Sequence, residues 1–299
     1  MSKNITELLN INYPIIQGGM AWVAESTLAA SVSNAGGLGI IAGGAAPIDY
    51  LREQIRNCQK FTDRPFGVNV MLMSPNAEDL AKLVIEEGVQ VVTTGAGNPG
   101  KYADEWKKAG IKIIPVVPSV ALAKRMEKYG ADAVIAEGTE SGGHIGETST
   151  MCLVPQVVDA VKIPVIAAGG IADKRGVKAA FALGACGVQC GTVFLASEEA
   201  KIHENFKNLV LKAKDTDSIV TGRFTGHPCR GVKTSFAREL LDFERNGGSP
   251  EKFEEITVGG LRKAVQDGNL DEGSFLCGAI AGLITEIKPV EEIIKDLFE

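Results

Sequence analysis

Residues 137 to 146 read Glu137-Gly138-Thr139-Glu140-Ser141-Gly142-Gly143-His144-Ile145-Gly146, which places carboxylates, glycines and an imidazole within one short stretch. His144 can give or take a proton near neutral pH, the range in which an unperturbed imidazole titrates. Gly142 and Gly143 lack a Cβ, so the backbone there can take positive φ and lie against a flat ligand. The apolar run at 131–136 reads as a short buried strand. Its carboxyl end therefore delivers an acid, a glycine pair and a histidine into one loop. A plain glycine-rich turn with a surface histidine has the same composition, so the surrounding elements decide between the two readings.

Seven further runs of the same kind recur, beginning near residues 13, 38, 66, 89, 111, 164 and 187. With 133–136 they make eight apolar, β-rich segments, whose starts are spaced by roughly 22 to 31 residues. Segments of helical pattern lie at 24–35, 47–59, 76–87, 100–109, 119–129, 151–161, 173–184 and 198–213. The spacing is that of a βα unit. Glycine often separates helix from strand, as expected at a helix C′ position. Near-continuous apolar strands point to a parallel sheet covered on both faces. Eight units in about 200 residues predict a closed (β/α)8 TIM barrel. A doubly wound open sheet is the competing arrangement.

In such a barrel the strand carboxyl ends share one face, and the residues there carry the chemistry. Gln17-Gly18-Gly19-Met20, Gly43-Gly44, Asn69, Gly95-Ala96-Gly97, Glu137 to His144, Gly169-Gly170 and Gln189-Cys190-Gly191-Thr192 all fall at those ends. The last two suit the phosphate site that barrels build after strands seven and eight. A flavin mononucleotide fits, with one phosphate and a flat ring, and a phosphosugar would also suit this end. Gly95-Ala96-Gly97-Asn98-Pro99-Gly100 matches GxGxxG, but the next strand ends Val116-Val117-Pro118-Ser119 without the acid a dinucleotide ribose needs, so a Rossmann site is rejected.

The 299 residues carry a net charge of -6, with 45% hydrophobic and 23% charged residues. That is the composition of a soluble globular protein with no basic footprint for nucleic acid. No stretch reads as a membrane span, and the amino terminus has no signal-like apolar core. The six cysteines show no paired spacing, and neither CxxC nor HxxxH favours a metal, so reduced thiols in a cytoplasmic protein are expected. His227 and Cys229 alone are too few for a structural metal, and His203 is expected to be solvated.

Beyond about residue 197 the repeat stops. The region 201–268 is more charged and mainly helical in pattern, and is read as a small appended, substrate-covering segment, with a solvent-facing helical decoration as the alternative from the pattern alone. The barrel is assigned to 1–200, joined by 269–299. Helical pattern returns at 275–283 and 290–298.

With these motifs in place, the chain resembles the flavin-dependent enoyl-acyl-carrier-protein reductases (the type II, FMN-dependent enzymes of bacterial fatty-acid synthesis), relatives of the nitronate monooxygenases or 2-nitropropane dioxygenases. The likeness covers essentially the whole chain. Tyr13-Pro14-Ile15-Ile16-Gln17-Gly18-Gly19-Met20-Ala21-Trp22, Pro65-Phe66-Gly67-Val68-Asn69-Val70-Met71 and Val92-Thr93-Thr94-Gly95-Ala96-Gly97-Asn98-Pro99 carry it, together with Ile114-Pro115-Val116-Val117-Pro118-Ser119, 137–146 and 163–171. Gln-Gly-Gly-Met and Gly-Gly-His-Ile-Gly are common to the monooxygenases, whereas the runs between them resemble the reductases.

The resemblance implies FMN in a TIM barrel, NADH or NADPH as co-substrate, a possible monovalent cation, and an enoyl thioester on acyl carrier protein as acceptor, in a homodimer. Gly19 and Met20 would line the flavin and Asn69 would bond it. Glu137, Ser141, Gly142 and Gly143 would line the flavin and substrate side. Gly169, Gly170, Gln189, Gly191 and Thr192 would hold the phosphate, and His144 would be the catalytic residue. Arg223, Arg230, Lys233 and Arg238 are candidates for a basic patch that receives the acidic carrier.

Two departures stand out. The family commonly has Asn after the strand-two glycines, where this chain reads Gly43-Gly44-Ala45-Ala46-Pro47. It also tends to continue into a further helix beyond the position of Asp296-Leu297-Phe298. A nitronate monooxygenase and a flavin-binding module without turnover remain the alternative functions.

Overall fold

The computed structural model describes residues 4–44 and 46–299, so Met1, Ser2, Lys3 and Ala45 lie outside the described residues. Eleven strands occur in chain order: β1 (Ile15–Gln17), β2 (Gly39–Ala42), β3 (Phe66–Met71), β4 (Val91–Gly95), β5 (Lys112–Val117), β6 (Val134–Glu137), β7 (Gly143–His144), β8 (Val165–Ala168), β9 (Gly187–Cys190), β10 (Ser218–Thr221) and β11 (Cys229–Val232). Eight form one parallel sheet in the order β1-β9-β8-β6-β5-β4-β3-β2. The sheet closes where the Gln17 amide donates to the Leu38 carbonyl and the Leu38 amide to the Ile15 carbonyl, both at 2.9 Å. The fold is the expected TIM barrel.

Period-two alternation decides what each strand residue faces. Ile16, Ile40, Val91, Ile114, Ile135 and Ile166 fill the barrel, sealed from below by Ile5 and Leu9 of the helix Ile5–Leu9. Their neighbours Ile15, Ile41, Val92, Ile113, Val134 and Val165 pack against the outer helices. The same alternation turns Asn69, Thr93, Glu137 and Gln189 inward, one layer above the isoleucines. Polar inward residues thus begin where the apolar plug ends, at the strand carboxyl ends.

The region after β9 differs from its sequence reading in three places. The helix expected at 198–213 begins only at Glu204, because 197–198 bridges to Lys288: the Glu198 amide donates to the Lys288 carbonyl at 3.0 Å. His203 is half-buried rather than solvated, and its ring nitrogen accepts from the Asn205 amide at 3.1 Å to cap that helix. Residues 275–278 are extended, with only a 3-10 turn at Ala279–Leu283. The Gly278 amide is taken by Thr192 Oγ1 at 2.9 Å and the Ala279 amide by the Glu140 carbonyl at 2.9 Å, tertiary bonds that displace helical ones.

The appended region also contributes strands. β10 and β11 form an antiparallel hairpin, and β11 pairs with β7, so Cys229 lies opposite His144 and Arg230 opposite Gly143. Through this pairing the segment that follows the barrel is joined to the loop that follows β6.

Candidate active site

The residues singled out from the sequence fall into three adjoining groups at the carboxyl ends of the barrel strands. Around the barrel axis, the turns after β1 and β9 meet: the Gly18 amide donates to the Cys190 carbonyl at 2.8 Å, and Met20 Sδ lies 3.4 Å from where a Cβ on Gly191 would stand. A Cβ on Gly19 would come within 2.5 Å of the Asn69 Cβ, so the first turn lies directly against the end of β3. Asn69 donates through its amide to Thr93 Oγ1 at 3.0 Å, which leaves its carbonyl oxygen to face the mouth. Gln189 is buried on the inner face of β9.

The second group is the glycine cradle. Gly169 and Gly170 have φ of +95° and +73°, and a Cβ on Gly169 would stand 2.9 Å from the Gly138 carbonyl oxygen and 3.3 Å from the Ser141 amide. Gly142 packs as tightly on the extended strand 277–278, where a Cβ would lie 2.6 Å from the Cys277 carbonyl carbon. Only glycine lets these three backbones approach so closely. Among the described residues the amides of Gly169, Gly170 and Thr192 make no backbone hydrogen bond, leaving convergent donors of the kind that hold a phosphate. The Ser141 hydroxyl is buried there beside Glu137, with no hydrogen bond of ordinary geometry. Orphaned donors beside a cradle that excludes side chains fit a flat phosphorylated cofactor such as FMN.

Glu137 ends β6 beneath this loop. Burial pushes its carboxyl up to about 7, and Ser141, which lies beside it, offsets part of that rise. Glu140 holds the loop in place. Its carboxylate accepts from the Thr150 amide at 2.9 Å and the Thr150 hydroxyl at 2.8 Å, capping the helix Thr150–Ala160 from a distance. The Thr150 hydroxyl lies 3.0 Å from the Gly169 carbonyl oxygen, and Arg230 Nε donates to the Thr139 carbonyl at 3.0 Å.

The third group is built around His144. Its strand β7 forms one wall of a cavity of about 420 Å3 beside the barrel mouth. Ile219, Val232, Phe236, Leu240, Phe253, Phe275 and Leu276 give this cavity an apolar lining, and Met71 at the end of β3 closes it toward the barrel. His144 keeps an exposed face toward the cavity, but partial loss of solvation at the cavity wall, and then the charge of His227, hold its imidazole below its ordinary value. The two rings stand edge to face with centroids 6.4 Å apart.

Sequence reasoning missed Glu140, Thr150, Gly278, His227 and the apolar lining. Glu140 was in view, but its role depends on where the next helix starts. In the sequence His227-Pro228-Cys229 offers only a pair of metal-type ligands, and among the described residues no group of three His, Cys, Asp or Glu is placed to hold a metal. Of the four basic residues, two are engaged within the chain and two are exposed. Arg230 is turned inward, bonded also to Ser218 Oγ at 2.7 Å, and Arg223 is paired with Glu147 at 2.6 Å. Lys233 and Arg238 are exposed.

Comparison with known proteins places this arrangement. The family model described as nitronate monooxygenase matches residues 2–299. The structure of FabK from Thermotoga maritima superimposes with a TM-score of 0.96 at 56% identity, covering 98% of this chain and 94% of that one. A probable nitronate monooxygenase of Staphylococcus saprophyticus is 34% identical over 100% of this chain and 98% of its own length. A Mycobacterium tuberculosis protein named as a 5-hydroxy-7a-methyl-1-oxo-octahydro-1H-indene-4-carboxyl-CoA dehydrogenase is 33% identical over 98% of this chain and 94% of its own.

Proposed function

From the premise that this chain belongs to the nitronate monooxygenase family of oxidoreductases, we propose that it is an FMN-dependent enoyl-acyl-carrier-protein reductase. It would use NADH or NADPH to reduce the trans-2 double bond of enoyl thioesters. One observation carries the reading. An imidazole lines an apolar cavity of about 420 Å3, a volume that can take an acyl chain, and its own loop runs directly into the glycine cradle. The likeness to FabK supports it, and a relative named for a carboxyl-CoA substrate supports a thioester.

Bound FMN would accept hydride from the nicotinamide and supply it to the β-carbon of the enoyl group. The chain's residues do the rest. Asn69, Met20 and Gly19 would hold the ring, and Gly169, Gly170, Gly191, Gln189 and Thr192 the phosphate end. Glu137, Ser141, Gly142 and Gly143 would line the ring and the thioester. His144 would donate the proton that reaches the α-carbon, or polarise the thioester carbonyl as negative charge grows on its oxygen. A lowered imidazole affinity for its proton makes His144 a stronger acid at the moment of transfer. The apolar walls exclude water from the reacting carbons.

The family model and the Staphylococcus relative favour a second reading, oxidation of nitronates, in which His144 serves as base. An anaerobic titration separates the two. NADH or NADPH should bleach the yellow protein, and a crotonyl thioester should restore the colour. A flavin bleached by neither nicotinamide, with turnover on a nitronate in air, would overturn the reductase reading.

A further inference from the structure

We propose that His227 is a second proton-carrying residue of this site, a positioning residue that acts through His144 by returning a proton to it after each turnover. The inference rests on the reductase reading for its chemistry and on geometry for its assignment. The two imidazoles line the same cavity, edge to face, with centroids 6.4 Å apart. The rings are not hydrogen-bonded to each other, and at that separation one bridging water would carry the proton. The spacing is set by backbone rather than by side-chain chance: His144 lies opposite Cys229 in the β7–β11 ladder, and the Ile145 amide donates to the Pro228 carbonyl at 3.1 Å. The His227 amide is itself held by Thr225 Oγ1 at 3.2 Å.

The protons balance simply. Hydride adds to the β-carbon, the His144 proton adds to the α-carbon, and His144 is left neutral. A protonated His227 then passes its proton to His144 and is recharged from water, to which it is exposed. Among the described residues, the other titratable and charged groups around the pair are Cys229, Glu254, Arg223 and Arg230. Cys229, beside His227 on β11, has a thiol pushed up to about 11 by burial. Glu254 lines the cavity from the helix Pro250–Thr257, Arg223 is engaged with Glu147, and Arg230 is turned inward. Two facing imidazoles also resist carrying two charges at once, so after loss of solvation the charge of His227 is the second cause that holds His144 below its ordinary value. Replacing His227 should therefore raise the pH at which His144 titrates.

The test uses the flavin-loaded protein with His227→Gln and His227→Ala. Flavin bleaching by the nicotinamide should be unchanged. Reoxidation by crotonyl thioester at pH 8 should slow about 10- to 100-fold in both variants, and added imidazole should restore part of the rate in His227→Ala. The chain has three histidines, so proton NMR of the ring Cε1–H groups can follow His144 directly. Its midpoint should move upward in His227→Gln. Unchanged reoxidation, an unchanged pH profile and an unmoved His144 midpoint in an active protein would overturn the proposal. A parent protein that crotonyl thioester never reoxidises would instead overturn the reductase reading, while the His144 midpoint would still decide whether the rings are coupled.

Discussion

Glu140→Ala tests whether the loop after β6 is held in its binding shape by one carboxylate. Glu140 accepts from the Thr150 amide at 2.9 Å and from its hydroxyl at 2.8 Å. A helix cap of this type contributes about 1 kcal/mol, and hydrogen bonds to charged groups about 1.5–3 kcal/mol. The Thr150 hydroxyl keeps an alternative acceptor, the Gly169 carbonyl oxygen at 3.0 Å, so only part of the second contribution is lost. The net cost is about 1–2.5 kcal/mol. Unfolding entropy for a chain this long corresponds to roughly 0.6 kcal/mol per degree, so Tm should fall by about 2–4 °C.

The same change should weaken FMN binding, because the loop must then be ordered when the cofactor binds. If about 1 kcal/mol goes into that ordering, Kd rises about fivefold. Calorimetric melting of the flavin-free protein and fluorescence titration with FMN measure the two effects separately. Glu140→Gln retains an acceptor for the Thr150 amide and should recover most of both. A Glu140→Ala protein that melts with its parent and binds FMN equally tightly would show that the loop is fixed by something else.

His144→Ala should leave bleaching by NADH intact while slowing reoxidation by crotonyl thioester about 10²- to 10⁴-fold, read by stopped-flow absorbance. Glu137, pushed up to about 7, holds an extra proton in the native state. Stability of the flavin-free protein is therefore full below the ordinary carboxylate value of about 4.3 and falls as pH rises toward 7, by about 3 kcal/mol in total. Glu137→Gln should flatten that slope in melts taken from pH 5 to 8, and a slope unchanged by the substitution would contradict the assignment. Gly142→Ala sets a Cβ 2.6 Å from the Cys277 carbonyl carbon and should cost about 1–3 kcal/mol by chemical denaturation. Leu240→Trp narrows the apolar cavity and should reduce kcat/KM for long enoyl thioesters far more than for crotonyl thioester.

The barrel was legible because its determinants are local. Ile15-Ile16 and Val134-Ile135 alternate within single strands, and the glycines that end the helices punctuate the units. The cradle was legible for the same reason, as glycine pairs at strand ends have few other uses. The wall of the cavity was not. Phe275-Leu276-Cys277 has a helical composition, but the Phe275 carbonyl accepts from the Val232 amide, and the following amides of Gly278 and Ala279 are committed to Thr192 and Glu140, all far away in sequence. β7 is two residues long, too short for any periodicity, and becomes a strand only because β11 lies beside it. Arg230 looked like a surface cation because nothing local showed that the Thr139 carbonyl would be waiting for it.

That division bears on how one family serves different substrates. Gly142, Gly143 and His144 lie on the barrel side, in a motif that the resemblance gives to reductases and monooxygenases alike, so under the proposed function they would set what both reactions need: a bound flavin and a proton carrier beside it. Most of the lining that shapes the cavity comes from 219–276, outside the barrel repeat. Nitronates are small, and a cavity of about 420 Å3 walled by Phe236, Leu240, Phe253 and Phe275 offers them far more apolar surface than they can cover. An acyl chain gains about 0.8 kcal/mol for each CH2 buried there, which a nitronate with a short chain cannot match. The pairing of β11 with β7 then couples the two halves, because whatever moves the lining also moves the backbone that carries His144. Under the proposed function, substrate choice and proton delivery would therefore be set by the same hairpin.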